Sequence, residues 1–580
     1  MTERPAPALP FDNSRRLTGP NRHFAEPGVV LEPAPGVAVD EARLARWAAN
    51  VRSMREALGW PDAPLVAEPP ASGANLAFVA PVDRLLCATE VNEWAWSDAC
   101  GESVGEAPGH PAIWDRGEAT HTLAALARAQ QNPVLTTLLA EAQRRGVPAL
   151  LDDEILTLGS GAGGQDFPLT ALPAPESIDW AARHAVPTAL VTGSNGKTTT
   201  VRLIAALLRA SGRRAGWSCT DGLFVEGEKL ESGDYSGPVG ARTVLRRRGI
   251  DAAVLETARG GILRRGLATE RADVAVVTNV SADHFGEYGI HSLEDLIRAK
   301  LTLARAIDAR GLLVLNADDV RLREAGLTLA APVGWFSLDE NAAFLRERAP
   351  TRPACLAREG HLWLHPQGIA TDGIDLGDIT AMPLSVGGAA HYNIANLAAA
   401  ALAGFALGID LETIRATLAS FGTDNADNRG RLERWEWRGV RVWIDYAHNP
   451  EGLGGLLDLA QTQRHGARLG ISLGHAGNRL DEALRAVART VARYRPDRVV
   501  LKDVDGYLRG RRAGEVAQVI GDALQAEGVP RQAIDFIPDE VDGVRTLLDW
   551  AQPGDLLVLP ILGVKAREEI LAILAGRKNA

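Results

Sequence analysis

The sequence predicts an α/β protein of three domains, and three observations lead to this fold class. The chain has 580 residues, whereas a single hydrophobic core stops growing at roughly 250 to 300 residues. Apolar residues make up 46% of the chain and charged residues 23%, a balance typical of folded globular proteins. From residue 188 onward, short apolar segments alternate with helical patterns, which is typical of a mostly parallel sheet covered by helices.

The first domain is predicted as a small α/β domain with a linker, over residues 1–175. Apolar residues recur at helical spacing over 41–58, and a second helical pattern runs from about 121 to 145. The apolar run Ala149–Leu151 follows as a strand. Gly159–Gln165 is rich in glycine and is followed by three prolines, which indicates a loop and a domain boundary near 175.

Two larger α/β domains are predicted to follow, a central one over 176–425 and a Rossmann-like one over 426–580. Each contains four apolar segments that predict buried strands. They are Ala189–Thr192, Ala252–Leu255, Val274–Val277, Leu312–Leu315, Val440–Ile444, Leu469–Leu473, Val499–Leu501 and Leu556–Leu559.

Charge and composition exclude several classes of partner. The net charge of −11 argues against nucleic-acid binding, which depends on lysine and arginine neutralising phosphates. The sequence has neither a signal peptide nor a run of about 20 apolar residues that could span a bilayer. Four widely spaced cysteines favour a reducing compartment, so we expect a cytoplasmic protein without membrane contact.

A glycine loop between a strand and a helix predicts a nucleotide site. Glycines let backbone N–H groups point at phosphate oxygens, a lysine adds a full charge, and a threonine hydroxyl can bind Mg²⁺. The alternative is a structural glycine turn. The residues predicted to bind ATP and Mg²⁺ here are Gly193, Ser194, Asn195, Gly196, Lys197, Thr198 and Thr199.

The loop has the form GxxGKT, with Val191 where the longer phosphate-loop motif has its first glycine. This shortened form resembles the Mur ligases and the folylpolyglutamate synthetases. The resemblance implies an ATP-dependent, ADP-forming ligase that activates a carboxylate as an acyl phosphate and couples it to an amine.

A carboxylate at the end of a second apolar segment is a candidate magnesium ligand. Glu256 follows Val254-Leu255, and carboxylate oxygen is a ligand that Mg²⁺ prefers. A glutamate at a strand end can also simply be solvated. The neighbouring phosphate loop favours the metal role.

Two further residues are assigned by the resemblance. Thr278-Asn279 followed by His284 resembles the Mur segment in which a strand ends in Thr-Asn and a histidine helps to hold a second Mg²⁺. Lys300 ends a helical pattern where many Mur ligases have a carbamylated, metal-binding lysine. The alternatives are a surface histidine, because neutral imidazole binds Mg²⁺ poorly, and a solvated helix lysine.

Paired asparagines form the next match. Asn393 and Asn396 resemble the Mur segment near the adenine of ATP, although Tyr392 separates His391 from Asn393, whereas the family has adjacent His-Asn. The alternative is that the asparagines are helix N-caps.

The last predicted domain carries a specific signature. The segment Asp445–Pro450 resembles the DYAHNP motif of the family, which implies that Asp445 and His448 contact the nucleotide. Arg431 resembles the arginine that faces the terminal phosphate and could stabilise charge during phosphoryl transfer. An arginine beside a linker can also be an ordinary surface residue.

Several segments resemble the Mur-type half of cyanophycin synthetase over roughly 186–580. They are 220–222, 233–238, 256–267, 502–503, 509–511 and 514–515. That family also has an ATP-grasp domain, for which no room exists between Gln165 and the phosphate loop. The resemblance implies a single coupling step, arginine or a similar amino acid to an aspartyl carboxylate of a peptide-like substrate, by a homo-oligomer.

An acidic and aromatic segment in the first predicted domain has two interpretations. Glu90, Glu93, Trp94 and Trp96 could bind a cationic or peptide substrate. The favoured alternative is that the tryptophans pack in a core and the glutamates are solvated.

Two rivals to the ligase hypothesis remain at this point. One is a catalytically degenerate nucleotide-binding partner of a cyanophycin synthetase, which predicts damage at Lys197, Glu256, Lys300 or Asp445. All four are intact. The other is a small-molecule kinase, which leaves the DYAHNP segment without a role.

Overall fold

The computed structural model describes residues 9–68, 74–101, 115–282, 285, 287–339 and 341–576. The chain forms two compact units. The first contains residues up to 335 together with 402–409, and the second contains 336–401 and 410–580. The predicted domain boundaries near 175 and 425 stay a prediction.

The helices and strands of the described residues are numbered in chain order. The helices are α1 Glu41–Ala57, α2 Leu85–Cys100, α3 Arg116–Gln130, α4 Pro133–Arg145, α5 Lys197–Ala210, α6 Pro238–Leu245, α7 Arg259–Arg265, α8 Leu293–Lys300, α9 Val320–Thr328, α10 Ala343–Arg348, α11 His391–Ala406, α12 Leu411–Ser420, α13 Pro450–Arg464, α14 Asp481–Ala492, α15 Glu515–Ala526, α16 Glu540–Trp550 and α17 Val564–Leu574. The strands are β1 Phe11–Leu17, β2 Gly28–Pro33, β3 Leu65–Glu68, β4 Asn75–Val79, β5 Ala149–Leu151, β6 Ile155–Leu158, β7 Gln165–Pro168, β8 Thr188–Thr192, β9 Ala215–Cys219, β10 Gly222–Val225, β11 Glu228–Glu231, β12 Ala252–Glu256, β13 Ala272–Val277, β14 Ile307–Asn316, β15 Val333–Ser337, β16 Ala354–Arg358, β17 His361–His365, β18 Ile374–Asp378, β19 Glu433–Trp437, β20 Val440–Asp445, β21 Leu469–Leu473, β22 Arg498–Leu501, β23 Ile534–Phe536 and β24 Leu556–Pro560.

The first unit begins with an antiparallel sheet in the order β1-β2-β4-β3, packed against α1, α2 and α3. Trp94 and Trp96 on α2 are buried in this core, and the Trp96 indole N–H donates to the Pro10 carbonyl at 2.9 Å. The expectation that both tryptophans are packing residues is therefore confirmed.

The glutamates of the same helix are not simply solvated, which corrects that expectation. Glu90 and Glu93 lie on α2 and are only partly exposed. Burial, and secondarily the charge of Glu93, raises the pKa of Glu90 to about 8. Burial also raises the pKa of Glu93.

We predict that Glu90 makes the first unit less stable as the pH rises. A carboxyl whose pKa is raised by folding binds its proton more tightly in the native state. Its stabilising contribution is therefore complete below the unfolded pKa and is lost as the pH rises to about 8. Melting temperatures between pH 5 and pH 9 should fall less in Glu90→Gln than in the wild type. Equal slopes in the two proteins would contradict the prediction.

The single helix predicted over 121–145 is wrong, because the structure has two helices there. The chain leaves α3 at Gln131, and Pro133 occupies the first turn of α4. Proline disfavours a helical conformation at the preceding residue, and Asn132 instead caps α4 by accepting from Leu135 N–H at 3.0 Å.

The region predicted as a loop and linker contains a strand, because β7 spans Gln165–Pro168. Strands β5, β6 and β7 form a small antiparallel sheet. Residues 169–196, all of them described, contain only three short 3-10 turns and β8 before α5 begins. No ATP-grasp domain lies in that stretch.

The large sheet of the first unit places strand β8 at its centre. The order is β11-β10-β9-β12-β8-β13-β14, and the five strands from β9 to β14 are parallel. The hairpin of β10 and β11 adds an antiparallel edge. The predicted mostly parallel sheet is confirmed, and the carboxyl ends of β9, β12, β8 and β13 meet at one edge.

The second unit has a six-stranded sheet in the order β19-β20-β24-β21-β22-β23. Only β19 is antiparallel to its neighbour. Strands β16, β17 and β18 form an antiparallel meander in this unit. The predicted Rossmann-like α/β architecture of the last part of the chain is confirmed. Among the described helices, none is long and apolar enough to cross a bilayer.

Candidate nucleotide and metal site

The phosphate loop has the local geometry that the sequence predicts. The buried strand β8 ends at Thr192, the chain turns through residues 193–196, and α5 begins at Lys197. Gly193 has φ +153° and Gly196 has φ +82°, conformations that L side chains rarely adopt. The N-terminus of α5 supplies N–H groups and positive potential where the loop ends.

Glu256 joins the loop to the adjacent strand end. It is 1% exposed, and its Oε2 accepts from the Thr198 hydroxyl at 2.7 Å. Its other oxygen accepts from the Thr220 hydroxyl at 2.8 Å, and Oε2 also accepts from Thr220 N–H at 3.3 Å. The alternative of a solvated glutamate is excluded by this burial.

This arrangement of oxygens fits a magnesium ion. Neighbouring ligands of octahedral Mg²⁺ at about 2.0 to 2.1 Å are separated by about 2.9 Å. The 2.7 Å between Thr198 Oγ1 and Glu256 Oε2 is close to that value. A carboxylate and a hydroxyl are also the oxygen donors that this cation prefers.

Asn279 and Thr278, at the end of β13, fix the shape of the loop. Asn279 Oδ1 accepts from Asn195 N–H at 2.9 Å, and its Nδ2 donates to the Asn195 carbonyl at 3.2 Å. The Thr278 hydroxyl donates to the same carbonyl at 2.5 Å. Ser194 exchanges hydrogen bonds with Ser281 at 3.0 and 3.2 Å. Asn279 therefore holds the backbone of the phosphate loop at Asn195.

The two predicted lysines lie in different surroundings. Lys197 is partly exposed, and its Nζ donates to the Ser194 carbonyl at 3.2 Å across the loop. Lys300 ends α8 and is 3% exposed, which excludes the alternative of a solvated helix lysine. His284 lies outside the described residues.

In the second unit, the paired asparagines are buried inside a helix. Asn393 and Asn396 lie in the first two turns of α11, which begins at His391, so the N-cap alternative is wrong. Asn393 Nδ2 donates to the Leu384 carbonyl at 3.1 Å, and Asn396 Nδ2 donates to Asn393 Oδ1 at 3.2 Å. Hydrogen bonds to the Leu384 carbonyl and between the two side chains thus position both asparagines.

The DYAHNP segment follows β20. Asp445 accepts from the N–H groups of Leu432 and Ala447, each at 2.7 Å. Burial raises the pKa of Asp445, while the Arg431 charge and these backbone donors oppose that rise. The Arg431 guanidinium lies over the Tyr446 ring, 4.4 Å from its centroid, so Arg431 is not a free surface side chain. His448 Nδ1 lies 3.0 Å from the Tyr446 carbonyl oxygen.

An open cleft of about 310 Å³ in the second unit is lined by Arg431 and by Leu384, the hydrogen-bond partner of Asn393. The residues that line it include Leu384, Asn425, Asn428, Arg431 and Arg434. Asp424 and Glu433 also line the cleft, so amide, guanidinium and carboxylate groups surround one space, which is a suitable environment for a polar ligand.

Two family models match the chain. The Mur ligase middle domain matches residues 191–404, and the Mur ligase glutamate ligase domain matches residues 430–560. The first match includes the phosphate loop, Glu256 and Lys300, and the second includes Arg431 and the DYAHNP segment. The chain belongs to the Mur ligase family.

Relatives of two kinds are similar to this Mur ligase family member. A cyanophycin synthetase from Synechocystis is 35% identical over 374 residues, which are 64% of this chain and 42% of that protein. The chain therefore spans less than half the length of that relative. A UDP-N-acetylmuramoyl-L-alanyl-D-glutamate--2,6-diaminopimelate ligase from Chlorobaculum tepidum is 29% identical and is matched over 73% of its length by 66% of this chain. Escherichia coli FolC is 17% identical, with a TM-score of 0.49 over 68% of this chain and 89% of the FolC chain.

Two contacts of this Mur-type site were not predicted from the sequence. Thr220 holds Glu256, and Asp221 pairs with Arg202 of α5 at 2.7 Å, with both side chains buried. Thr220 and Asp221 directly follow β9. Their position at the end of a strand could have marked them as candidates. They lie near Glu256 because β9 pairs with β12 in the sheet, and this pairing cannot be read from the local sequence.

Proposed function

We propose that this Mur ligase family member is an ADP-forming amide ligase that activates a carboxylate with ATP and couples it to an amino-acid amine. The observation that carries the proposal is the meeting of the phosphate loop with Glu256. The ends of β8, β12 and β13 bring Lys197, Thr198, Glu256 and Asn279 to one edge of the sheet. Family members are ATP-dependent amide ligases.

Different residues of the chain are proposed to bind the phosphates, to position the loop and to hold the metal ion. Loop N–H groups and Lys197 bind the phosphates, and Asn279 holds the loop in shape for them. Thr198 and Glu256, with the predicted contribution of His284 and Lys300, would hold Mg²⁺. The cation would screen the repulsion between the attacking carboxylate and the triphosphate.

The residues of the second unit are proposed to bind ATP as well. Asn393 and Asn396 are assigned to the adenine. Asp445, His448 and Arg431 are assigned to the ribose and phosphates. Because Arg431 is already held over Tyr446, little ordering of its side chain would be needed when it neutralises phosphate charge.

The substrates are proposed from the relatives. We infer an aspartyl carboxylate of a peptide-like molecule and arginine or a similar amino acid, since the cyanophycin synthetases share 33–36% identity with this chain. The enzyme is further proposed to act as a homo-oligomer. The competing function is that of a catalytically degenerate partner of a cyanophycin synthetase.

A substrate matrix tests this proposal. ADP formation would be measured with ATP and Mg²⁺ while aspartyl peptides are combined pairwise with single amino acids, and the amide product would be identified by mass spectrometry. We expect at least one pair to stimulate ADP formation together with an equal amount of product. ATP binding without stimulation by any pair would favour the degenerate partner instead.

We predict that Glu256→Gln raises the Mg²⁺ concentration needed for half-maximal activity on the order of 100-fold, because a charged oxygen donor becomes a neutral amide. Thr220→Val should have a smaller effect of about tenfold, since Thr220 only positions Glu256. Glu294→Gln, an exposed position on α8, is the matched control. An unchanged Mg²⁺ dependence in Glu256→Gln would contradict the metal role.

A further inference from the structure

The first unit contains a small cavity apart from the phosphate loop. It is partly open to solvent and is lined by residues of β1, β2 and β4, of the segment after β1 and of α7, and by Tyr288. Arg15, Arg22, Ile262, Leu263 and Tyr288 are among the residues that line it. Two arginines and apolar side chains thus surround one small space.

Arg15 has hydrogen-bonding capacity that the protein leaves unused. It is 8% exposed, and its Nη2 forms an ion pair with Glu32 at 2.6 Å. Its Nε and Nη1 atoms are buried and have no hydrogen-bond partner among the residues that the structure describes. The guanidinium carbon lies 4.9 Å from the centroid of the Tyr288 ring. Buried donors without partners are rare in native proteins, and a bound acceptor would satisfy them.

Arg22 repeats this pattern on the same cavity. Its side chain is 4% exposed, and Nη2 pairs with Glu68 at 3.1 Å and with Asp295 at 3.0 Å. Nη1 donates to the Gly289 carbonyl at 3.4 Å, whereas Nε is buried and finds no partner within the described part of the chain. Both guanidinium groups are therefore held in place by carboxylates and both retain buried, unpartnered N–H groups.

The charge balance favours a singly charged ligand. Burial first, and then the charges of Arg22, Arg15, Arg305 and Arg298, lowers the pKa of His23 to about 3, so this lining residue is neutral. Arg15, Arg22 and the neighbouring Arg298 are paired with the carboxylates of Glu32, Glu68 and Asp295, so three positive charges balance three negative ones. Surroundings without net charge disfavour a phosphate dianion more than a single carboxylate.

The chain connects this cavity to the proposed metal ligand. Helix α7, which carries Ile262 and Leu263, begins at Arg259, soon after Glu256 ends β12. Arg259 pairs at 2.5 Å with Glu287, the residue before Tyr288. A ligand in the cavity would therefore contact the helix that follows the Glu256 strand end.

We propose that this cavity is a binding site for a carboxylate group, which Arg15 and Arg22 recognise through their unpartnered N–H groups. The planar guanidinium fork matches a carboxylate, and Ile262 and Leu263 would contact the carbon chain that bears it. On the proposed ligase function, on which this part of the inference rests, the ligand is a second carboxylate of the peptide-like substrate, distinct from the one that is activated.

Titration calorimetry on the full chain tests the site, with the monocarboxylate butyrate as the probe and inorganic phosphate as the competing anion. We expect wild-type protein to bind butyrate more tightly than phosphate. The double variant Arg15→Met/Glu32→Gln removes the guanidinium without leaving Glu32 unpaired, and should weaken butyrate binding at least tenfold. Arg16→Met is the matched control, because Arg16 pairs with Asp153 at 2.8 Å and is not among the residues that line the cavity.

A second variant keeps the test decisive if the double variant does not fold. Leu263→Phe narrows the cavity and retains both arginines, and it should also abolish butyrate binding. Undetectable butyrate binding by the wild type, tighter binding of phosphate, or unchanged binding in the variants would overturn the carboxylate site.

The outcome for this site can be separated from the outcome for the ligase function. ATP binding should be equal in wild type, Arg15→Met/Glu32→Gln and Arg16→Met. In the ligase assay, the double variant should raise KM for the peptide-like substrate at least tenfold and change kcat little. Butyrate binding that depends on Arg15, in a protein that forms no ADP with any substrate pair, would refute the ligase function and leave the carboxylate site in place.

Discussion

Lys197→Ala is expected to lower the turnover of ATP by about a thousandfold, which is the size of effect seen when one preorganised charge-stabilising group is removed from a phosphoryl-transfer site. Lys197 is the lysine of the loop, and its Nζ lies across the turn from the Ser194 carbonyl. Alanine removes the full positive charge and leaves the backbone cradle in place. ADP release under saturating substrates is the measurement.

Lys229→Ala serves as the control for this change. Lys229 is exposed on the edge strand β11 and should tolerate the substitution with unchanged turnover. The melting temperature of Lys197→Ala should match that of the wild type, so that lost activity reports on chemistry. Wild-type turnover in folded Lys197→Ala would remove the phosphate role from the loop.

Gly193→Ala is expected to weaken ATP binding on the order of 100-fold. The new Cβ would collide with the Thr278 side chain, and the backbone at residue 193 would be strained as well. A Cβ on Gly193 would lie 1.8 Å from the Thr278 hydroxyl oxygen, and the φ of +153° is strained for alanine. The same hydroxyl holds the Asn195 carbonyl. Alanine must therefore displace both the loop and its clamp.

A double-mutant cycle tests this steric cause. Thr278→Ala removes the colliding oxygen, so Gly193→Ala should cost less ATP affinity in that background than in the wild type. Gly249→Ala is the matched control, because a Cβ there would meet nothing within 4 Å. Equal losses of affinity in both backgrounds would show that the collision with Thr278 is not the cause.

Local patterns predicted the elements that carry the phosphate loop. The strand before Gly193 and the helix after Gly196 were predicted because apolar spacing and glycine position are determined within a few residues. Strand β21 was predicted with its exact bounds, Leu469–Leu473. The split between α3 and α4 had a local signal in Pro133, which the long helical pattern around it concealed.

Contacts between distant strands could not be predicted in this way. Thr220 reaches Glu256 only because β9 lies beside β12, and sheet order is a property of the whole fold. Burial of Lys300 and of the α2 glutamates likewise depends on what packs over each helix. Arg431 over Tyr446 depends on the pairing of β19 with β20, which brings residues 431 and 446 together.

Transfer of oxygen from substrate to phosphate tests the central claim most directly. A peptide-like substrate with an ¹⁸O-labelled aspartyl carboxylate would be converted with ATP, Mg²⁺ and the amino acid found in the substrate matrix. Because an acyl phosphate passes one carboxylate oxygen to the phosphoryl group, the account predicts one ¹⁸O atom in each released phosphate. Released phosphate without ¹⁸O, while amide product accumulates, would contradict activation of the carboxylate as an acyl phosphate.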